Sequence, residues 1–303
     1  MSRGMLYAIV AYFLWGILPV YWKALKMVPA YELLCHRMVW SLIFLLTILI
    51  LKRDLSWLGR AFKDRRIYSM FTATAFILSA NWFTYIWAVN AGFIVEASLG
   101  YFINPLFYVL LGVIFLREKL RPVQWVAIVI AAIGVLYLTL QYGSFPWIAL
   151  TLALTFGLYG LMRKQAPLNS LQGLSLEMIV LFLPASFFLF YFEAQHTGSF
   201  GHLPFDKNML LLMAGVVTAL PLLFFAAGAR LIRLTTLGLL QYLAPTLQFL
   251  TGVVVYKEPF TTTRFVGFLI IWISLAIFTA ESLVELRKRR KYRIIQGTNG
   301  VFH

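Results

Sequence analysis

"YFINPLFYVLLGVIFLREKL" (residues 101–120) and "QYLAPTLQFLTGVVVYKEPF" (241–260) stand 140 residues apart. Laying one on the other decides how the chain is read. Pro105 falls on Pro245, Gly112 on Gly252, Val113 on Val253 and Glu118 on Glu258. A proline inside an apolar helix removes a backbone donor and crowds the carbonyl four residues before it. One such run would look like a local accident. Two in the same register look like a shared ancestry. At a shift of 141, "FLWGILPVYWK" (13–23) falls on "LTFGLYGLMRK" (154–164), with Gly16 on Gly157 and Lys23 on Lys164. The chain reads as a duplication.

Composition says what was duplicated. The 303 residues are 61% hydrophobic and 12% charged, whereas soluble domains carry roughly 25% charge. A spanning helix needs roughly 20 apolar residues. Ten stretches qualify: 4–22, 32–51, 68–90, 97–116, 123–140, 146–162, 172–191, 209–229, 236–256 and 265–283. The expected fold is an all-α polytopic membrane protein with ten transmembrane helices. The first stretch is read as an uncleaved span, being longer than a signal-peptide core and lacking a small-residue cleavage site after it. Five spans per half is odd, so the second half enters the membrane upside down. This gives two inverted five-helix repeats, residues 1–142 and 143–285, then a basic tail, 286–303. Inverted repeats are a transporter architecture, supplying two mirror-related gates around a midplane site.

Charge orients the spans. With the N-terminus inside, twenty basic residues fall in inner segments and five in outer ones. Cytoplasmic loops hold the excess of Lys and Arg, so both termini are expected in the cytoplasm. The net charge of +15 then reflects topology, and no nucleic-acid partner is expected. The run "RKRRKYR" (287–293) reads as an anchor for anionic membrane lipid.

Polar groups in the spans are the candidates for function. Tyr101, Asn104 and Tyr108 share one helix face, and their twins are Gln241, Ala244 and Gln248. Such groups facing lipid would go unsatisfied, so they face either a wet cavity or neighbouring helices as hydrogen-bonding glue. Asn81, Trp82 and Tyr85 combine aromatic walls with placed polar groups, as a pocket for amphipathic molecules requires. Trp15, Gln241 and its neighbour Tyr242 join this set. Pro105 and Pro245 are expected to bend their helices.

Ionisable groups inside spans are costly and are functional hypotheses by default. His36, Arg37 and Glu177 are read as gate or coupling residues, with His36 and Glu177 as proton carriers. The alternative is that Arg37 reaches outer headgroups and Glu177 the inner interface. Arg37 and Glu177 each lie roughly 9 Å from opposite faces at ~1.5 Å rise per residue, too far apart for a direct pair. Glu118 and Glu258 read as ion pairs or caps at helix ends.

The ordered motifs "AYFLWGILPVYWK" (11–23), "ELLCHRMVWS" (32–41), "NWFTYIWAVN" (81–90), "EASLGYFINPL" (96–106), "FGLYGLMRK" (156–164) and "LGLLQYLAPT" (237–246) resemble RarD-type members of the EamA family, in the drug/metabolite transporter superfamily. The resemblance runs from about Gly4 to Glu285. It implies two inverted five-helix repeats in the bacterial inner membrane, small-molecule transport, and a cavity lined by the first four helices of each half. It also carries an association with chloramphenicol sensitivity or resistance.

The chain lacks the Gly-rich phosphate loop of an ATP-driven pump. Cys35, the only cysteine, excludes an intrachain disulfide, and no metal-ligand spacing or cofactor motif occurs. No HExxH or GxSxG is present and the four histidines are scattered, so enzymatic activity is not expected. The expected function is secondary transport of a small amphipathic metabolite or drug, with a proton or counter-substrate as coupling partner. The alternatives are an integral membrane enzyme and a non-transporting receptor or assembly subunit. Oligomeric state stays open.

Overall fold

The computed structural model describes residues 2–91, 93–143, 145–255 and 262–299. Among these every regular element is a helix. In chain order they are α1 (Arg3–Ala24), α2 (Ala30–Leu51), α3 (Ser56–Lys63), α4 (Arg65–Asn90), α5 (Ile94–Leu116), α6 (Pro122–Tyr142), α7 (Trp147–Gln165), α8 (Ser170–Ala194), α9 (Phe205–Leu231), α10 (Leu234–Gln241), α11 (Leu243–Leu250) and α12 (Thr262–Asn299), with a π-helical turn, Thr251–Val255, after α11. Among the described residues six helices are long and apolar enough to cross a membrane: α1, α2, α5, α6, α8 and α9. Large apolar side chains point outward from them and their neighbours. Phe83 is 61% exposed, and Leu183 and Phe190 are each 75% exposed. Water penalises such a surface and acyl chains do not.

Nine of the ten apolar stretches lie, to within a residue, in single helices, and 236–256 is broken. The chain also holds a helix that the apolar count passed over. α3 is amphipathic: Trp57 and Ala61 pack with Leu49, Phe71 and Leu176 in a small core, and Trp57 Nε1 donates to the Asp54 carbonyl at 2.8 Å. The basic tail continues α12 as helix to Asn299. Lys257 and Glu258 lie outside the described residues.

Helix ends carry polar caps. Asn169 accepts from Gln172 N at 2.8 Å to start α8. Asp64 accepts from Arg66 N and Ile67 N at 2.9 and 3.2 Å to start α4. Gly143, at φ +80°, closes α6 in the left-handed conformation that glycine adopts freely. Lys164, near the end of α7, donates to the carbonyls of Ala229 and Ile232. In return Arg230, near the end of α9, donates to the carbonyls of Ala166 and Leu168. Each cation neutralises the negative end of the other helix.

Contacts divide the chain into two units. The first holds α1–α5 and α7–α11, the second α6 and α12. Each unit draws on both of the expected halves, 1–142 and 143–285, because the units record packing and those halves rest on likeness in sequence. Within the second unit, Ser274 Oγ donates to the Ala127 carbonyl at 2.6 Å and Arg121 pairs with Glu281.

In the first unit, helices approach through small residues, as membrane helices do where backbones must come close. A side chain at Gly215 would run into the backbone of Trp40 and Ser41, and Ser41 Oγ donates to the Gly215 carbonyl at 3.0 Å. Exchanging the expected halves, α1 for α7, α2 for α8, α4 for α9 and α5 for α10–α11, leaves the main helix pairings in place. α5 packs on α7 as α10 and α11 pack on α1; α1 packs on α9 as α7 packs on α4; α2 packs on α9 as α8 packs on α4. α2 packs on α8 and α5 on α10, counterpart against counterpart.

Gly215→Ala is expected to cost about 1–3 kcal/mol by overpacking, because the added methyl meets backbone that cannot move aside. Gly59→Ala, with nothing within 4 Å of the new methyl, is expected to be neutral or to stabilise by about 0.5–1 kcal/mol. Thermal unfolding of the two purified variants in detergent checks the contrast.

Candidate functional site

The break in 236–256 follows from Pro245. Its ring crowds the carbonyl of Gln241, four residues earlier, and α10 ends at Gln241. Pro105 acts on Tyr101 in the same way but sits inside the continuous helix α5. Both prolines were expected to bend their helices; the helix is broken beside Pro245 and continuous through Pro105. The Tyr242 hydroxyl, at the break, donates to the Phe102 carbonyl at 3.1 Å. α5 is thereby tied to the α10–α11 junction.

Beside these prolines lies a cavity of about 330 Å³ within the first unit, at the lower end of the roughly 300–1,000 Å³ of small-ligand pockets. Its lining includes Trp15 from α1, Asn81, Trp82 and Tyr85 from α4, Tyr101 and Asn104 from α5, and Gln241 from α10. Arg37 of α2 also reaches it. Trp15 stands edge-on to Phe156, ring centroids 5.6 Å apart. Asn81 Nδ2 is anchored on the Leu152 carbonyl at 2.9 Å and on Thr155 Oγ1 at 2.8 Å. Tyr85 and Tyr101 meet edge to face at 5.9 Å. Asn104 and Gln241 are buried, and their amide oxygens have no hydrogen-bond partner.

The other expected site residues lie elsewhere. Tyr242 is fully buried at the helix junction and Tyr108 donates to the Phe156 carbonyl at 3.0 Å, so both act as glue. Pro105 and Pro245 shape the cavity only through their neighbours. His36 is buried off the lining, 3.5 Å from Glu32, and its Nδ1 accepts from Trp40 Nε1 at 3.2 Å. Glu32 accepts from Ser199 N at 2.6 Å and Ser199 Oγ at 2.7 Å, clasping α2 to the segment after α8. Glu177 is fully buried among three helices. It accepts from Thr74 Oγ1 at 2.7 Å and the Tyr159 hydroxyl at 3.1 Å, and lies 3.7 Å from Arg163 Nη1.

Arg163 is a residue that sequence reasoning misplaced. It follows an apolar stretch and counts as a loop charge, yet it is 1% exposed. It stacks 5.3 Å from the Phe71 ring centroid and donates from Nη2 to the Ser170 carbonyl at 3.0 Å. A side chain at Gly173 would collide with its Nη1. The available signal was the need of an intramembrane acid such as Glu177 for a cation on a neighbouring helix. Thr218 was also missed. It lines the cavity and accepts from Arg37 Nε at 3.0 Å, and a lone threonine in an apolar run carries no pattern.

Described residues that are helical throughout their regular elements and carry an apolar outer surface make this a multi-pass membrane protein. The EamA-like transporter family matches it twice, over residues 2–140 and 145–280, and the chain belongs to that family of membrane transporters. It is 45% identical to the uncharacterized transporter YojE of Bacillus subtilis, over 96% of this chain and 98% of that one. It is 42% identical to protein RarD of Escherichia coli, over 95% and 98%. It is 30% identical to the chloramphenicol-sensitive protein RarD of Pseudomonas aeruginosa, over 96% and 98%. One solved crystal structure shares the fold, with a TM-score of 0.71 at 18% identity over 91% of this chain and 97% of that one.

Glu177→Gln strands the Arg163 charge in the interior and is expected to cost about 3–5 kcal/mol. The double variant Arg163→Met, Glu177→Leu removes both charges and is expected to recover most of that loss. Melting curves of the two in detergent test whether the pair is coupled.

Proposed function

We propose that this protein is a secondary transporter of the bacterial inner membrane. It moves a small amphipathic molecule by alternating access around the cavity beside Pro105 and Pro245. The observation that carries the reading is the lining itself: aromatic walls and unpartnered amides from helices of both halves converge on one ligand-sized space. Trp15, Asn81, Trp82, Tyr85, Tyr101, Asn104 and Gln241 contact the substrate. Tyr242 holds the broken helix against α5.

Ten spans in two inverted five-helix repeats, with both termini cytoplasmic, suit this mechanism. The double family match supports a duplication, and so does the packing map that survives exchange of the halves. A two-fold axis brings equivalent residues near it into contact. Trp15 and Phe156 are equivalent at a shift of 141 and meet edge to face. Phe102 and Tyr242 are equivalent at 140 and are hydrogen-bonded.

Rocking one half against the other must break contacts at one mouth and make them at the other. The Glu32–His36–Ser199 clasp and the Glu177–Arg163–Thr74 cluster are the candidate latches. His36 and Glu177 are then the groups through which a proton or counter-substrate could be coupled. The name of the Pseudomonas relative makes chloramphenicol a reasonable test ligand.

Protein reconstituted in liposomes is expected to catalyse solute flux, with a metabolite library and chloramphenicol as probes. Asn104→Leu and Gln241→Leu remove unpartnered polar groups, so they are expected to keep the fold while lowering flux about tenfold or more, as loss of a buried polar contact to substrate does. Wild-type flux in both variants would remove the cavity from the pathway.

A further inference from the structure

Arg37 is held in an unusual way. Its guanidinium carbon lies 4.9 Å from the Trp22 ring centroid and 4.6 Å from that of Trp82. Its Nε is spent on Thr218. The lining contains no acidic residue. The buried carboxylates are committed elsewhere: Glu32 to Ser199 and His36, Glu96 to the backbone N–H of Ile148 at 2.7 Å, and Glu177 to Thr74 and Tyr159. Among the described residues Arg37 has no ion-pair partner. Both rings lie beside the guanidinium and Thr218 takes Nε, while no described residue is hydrogen-bonded to Nη1 or Nη2, which are left for a ligand in the cavity that Arg37 lines.

A cation enclosed by apolar walls is costly unless an anion joins it. The terminal nitrogens of a guanidinium form a planar fork that matches a carboxylate with two parallel hydrogen bonds. One cation and no acid select a single negative charge. Elsewhere on the lining, the unpartnered amide oxygens of Asn104 and Gln241 call for a donor on the same molecule. Trp15 and Phe156 supply a wall for an apolar or aromatic body.

We infer that the cavity takes a small monocarboxylate with an aromatic or apolar body and a hydrogen-bond donor, its carboxylate forked on Arg37 beside Trp22 and Trp82. This rests on the cavity being the substrate site proposed above.

The test uses purified full-length protein in a low-chloride buffer and two matched sets of probes: phenylacetate, phenylacetamide and phenethylamine, then 4-hydroxyphenylacetate, its amide and tyramine. Binding is read by calorimetry and thermal shift. Each carboxylate is expected to bind about tenfold or more tightly than its amide, as a bidentate ionic pair replaces a neutral contact, and the amines are expected not to bind. Arg37→Met should abolish the preference while the melting temperature of the empty protein holds or rises, since an unpaired charge is removed. Arg37→Lys should keep the preference for the anion at reduced affinity, because charge remains and the fork is lost. The inference is overturned if no carboxylate binds more tightly than its amide, or if Arg37→Met or Arg37→Lys leaves the carboxylate's affinity unchanged. Arg37-dependent carboxylate binding without flux of any probe would leave it standing and remove transport. Flux of amides or amines that ignores Arg37 would keep transport and overturn it.

Discussion

In hydrocarbon, a backbone N–H or C=O without a partner costs several kcal/mol, and this constraint organises the structure. It forces the described elements into helices and makes each proline inside one of them an event. Pro105 and Pro245 disturb the carbonyls of Tyr101 and Gln241, which both belong to the cavity lining. Loosened backbone is tolerated at membrane depth only where protein or a wet space receives it. Cavity and prolines therefore share a location for one reason. Tyr242, donating to Phe102, holds the broken helix against the continuous one.

Two sets of buried polar groups differ in how they are partnered, and the difference carries the functional reading. Glu177 and Glu32 are surrounded by donors from other segments. Such groups join helices, and moving the helices means breaking them. Arg37, Asn104 and Gln241 retain unused hydrogen-bonding capacity where the cavity lies. A fold that only needed cohesion would have paired these groups with each other or replaced them with apolar residues. Unused capacity beside an enclosed space is what a passing ligand can complete.

Much of this was legible in the sequence, for reasons visible at single residues. Tyr101 and Asn104 share a helical face with a polar twin at Gln241, and lipid would penalise that face, so its direction inward followed. Asn81, Trp82 and Tyr85 were legible because they mix aromatic and amide groups within four residues. Tyr242 was misjudged because adjacency to Gln241 says nothing of direction: neighbours in a helix point about 100° apart. Arg163 was misjudged because hydropathy ends a span at its first charge, whereas a cation can continue inward when an acid and an aromatic face receive it. α3 escaped because an amphipathic turn of eight residues is too short to register as a span.

The sequence by itself determined the helical class, the membrane as solvent and the candidate polar faces. Hydrophobicity and periodicity are properties of the chain alone. Tertiary structure decided which polar groups are partnered. Arg37 and Arg163 are both cations beside apolar runs, yet one meets Glu177 and the other meets two tryptophans and Thr218. That difference is set by which helices pack together, and pairing across 181 residues of chain leaves no trace in local pattern.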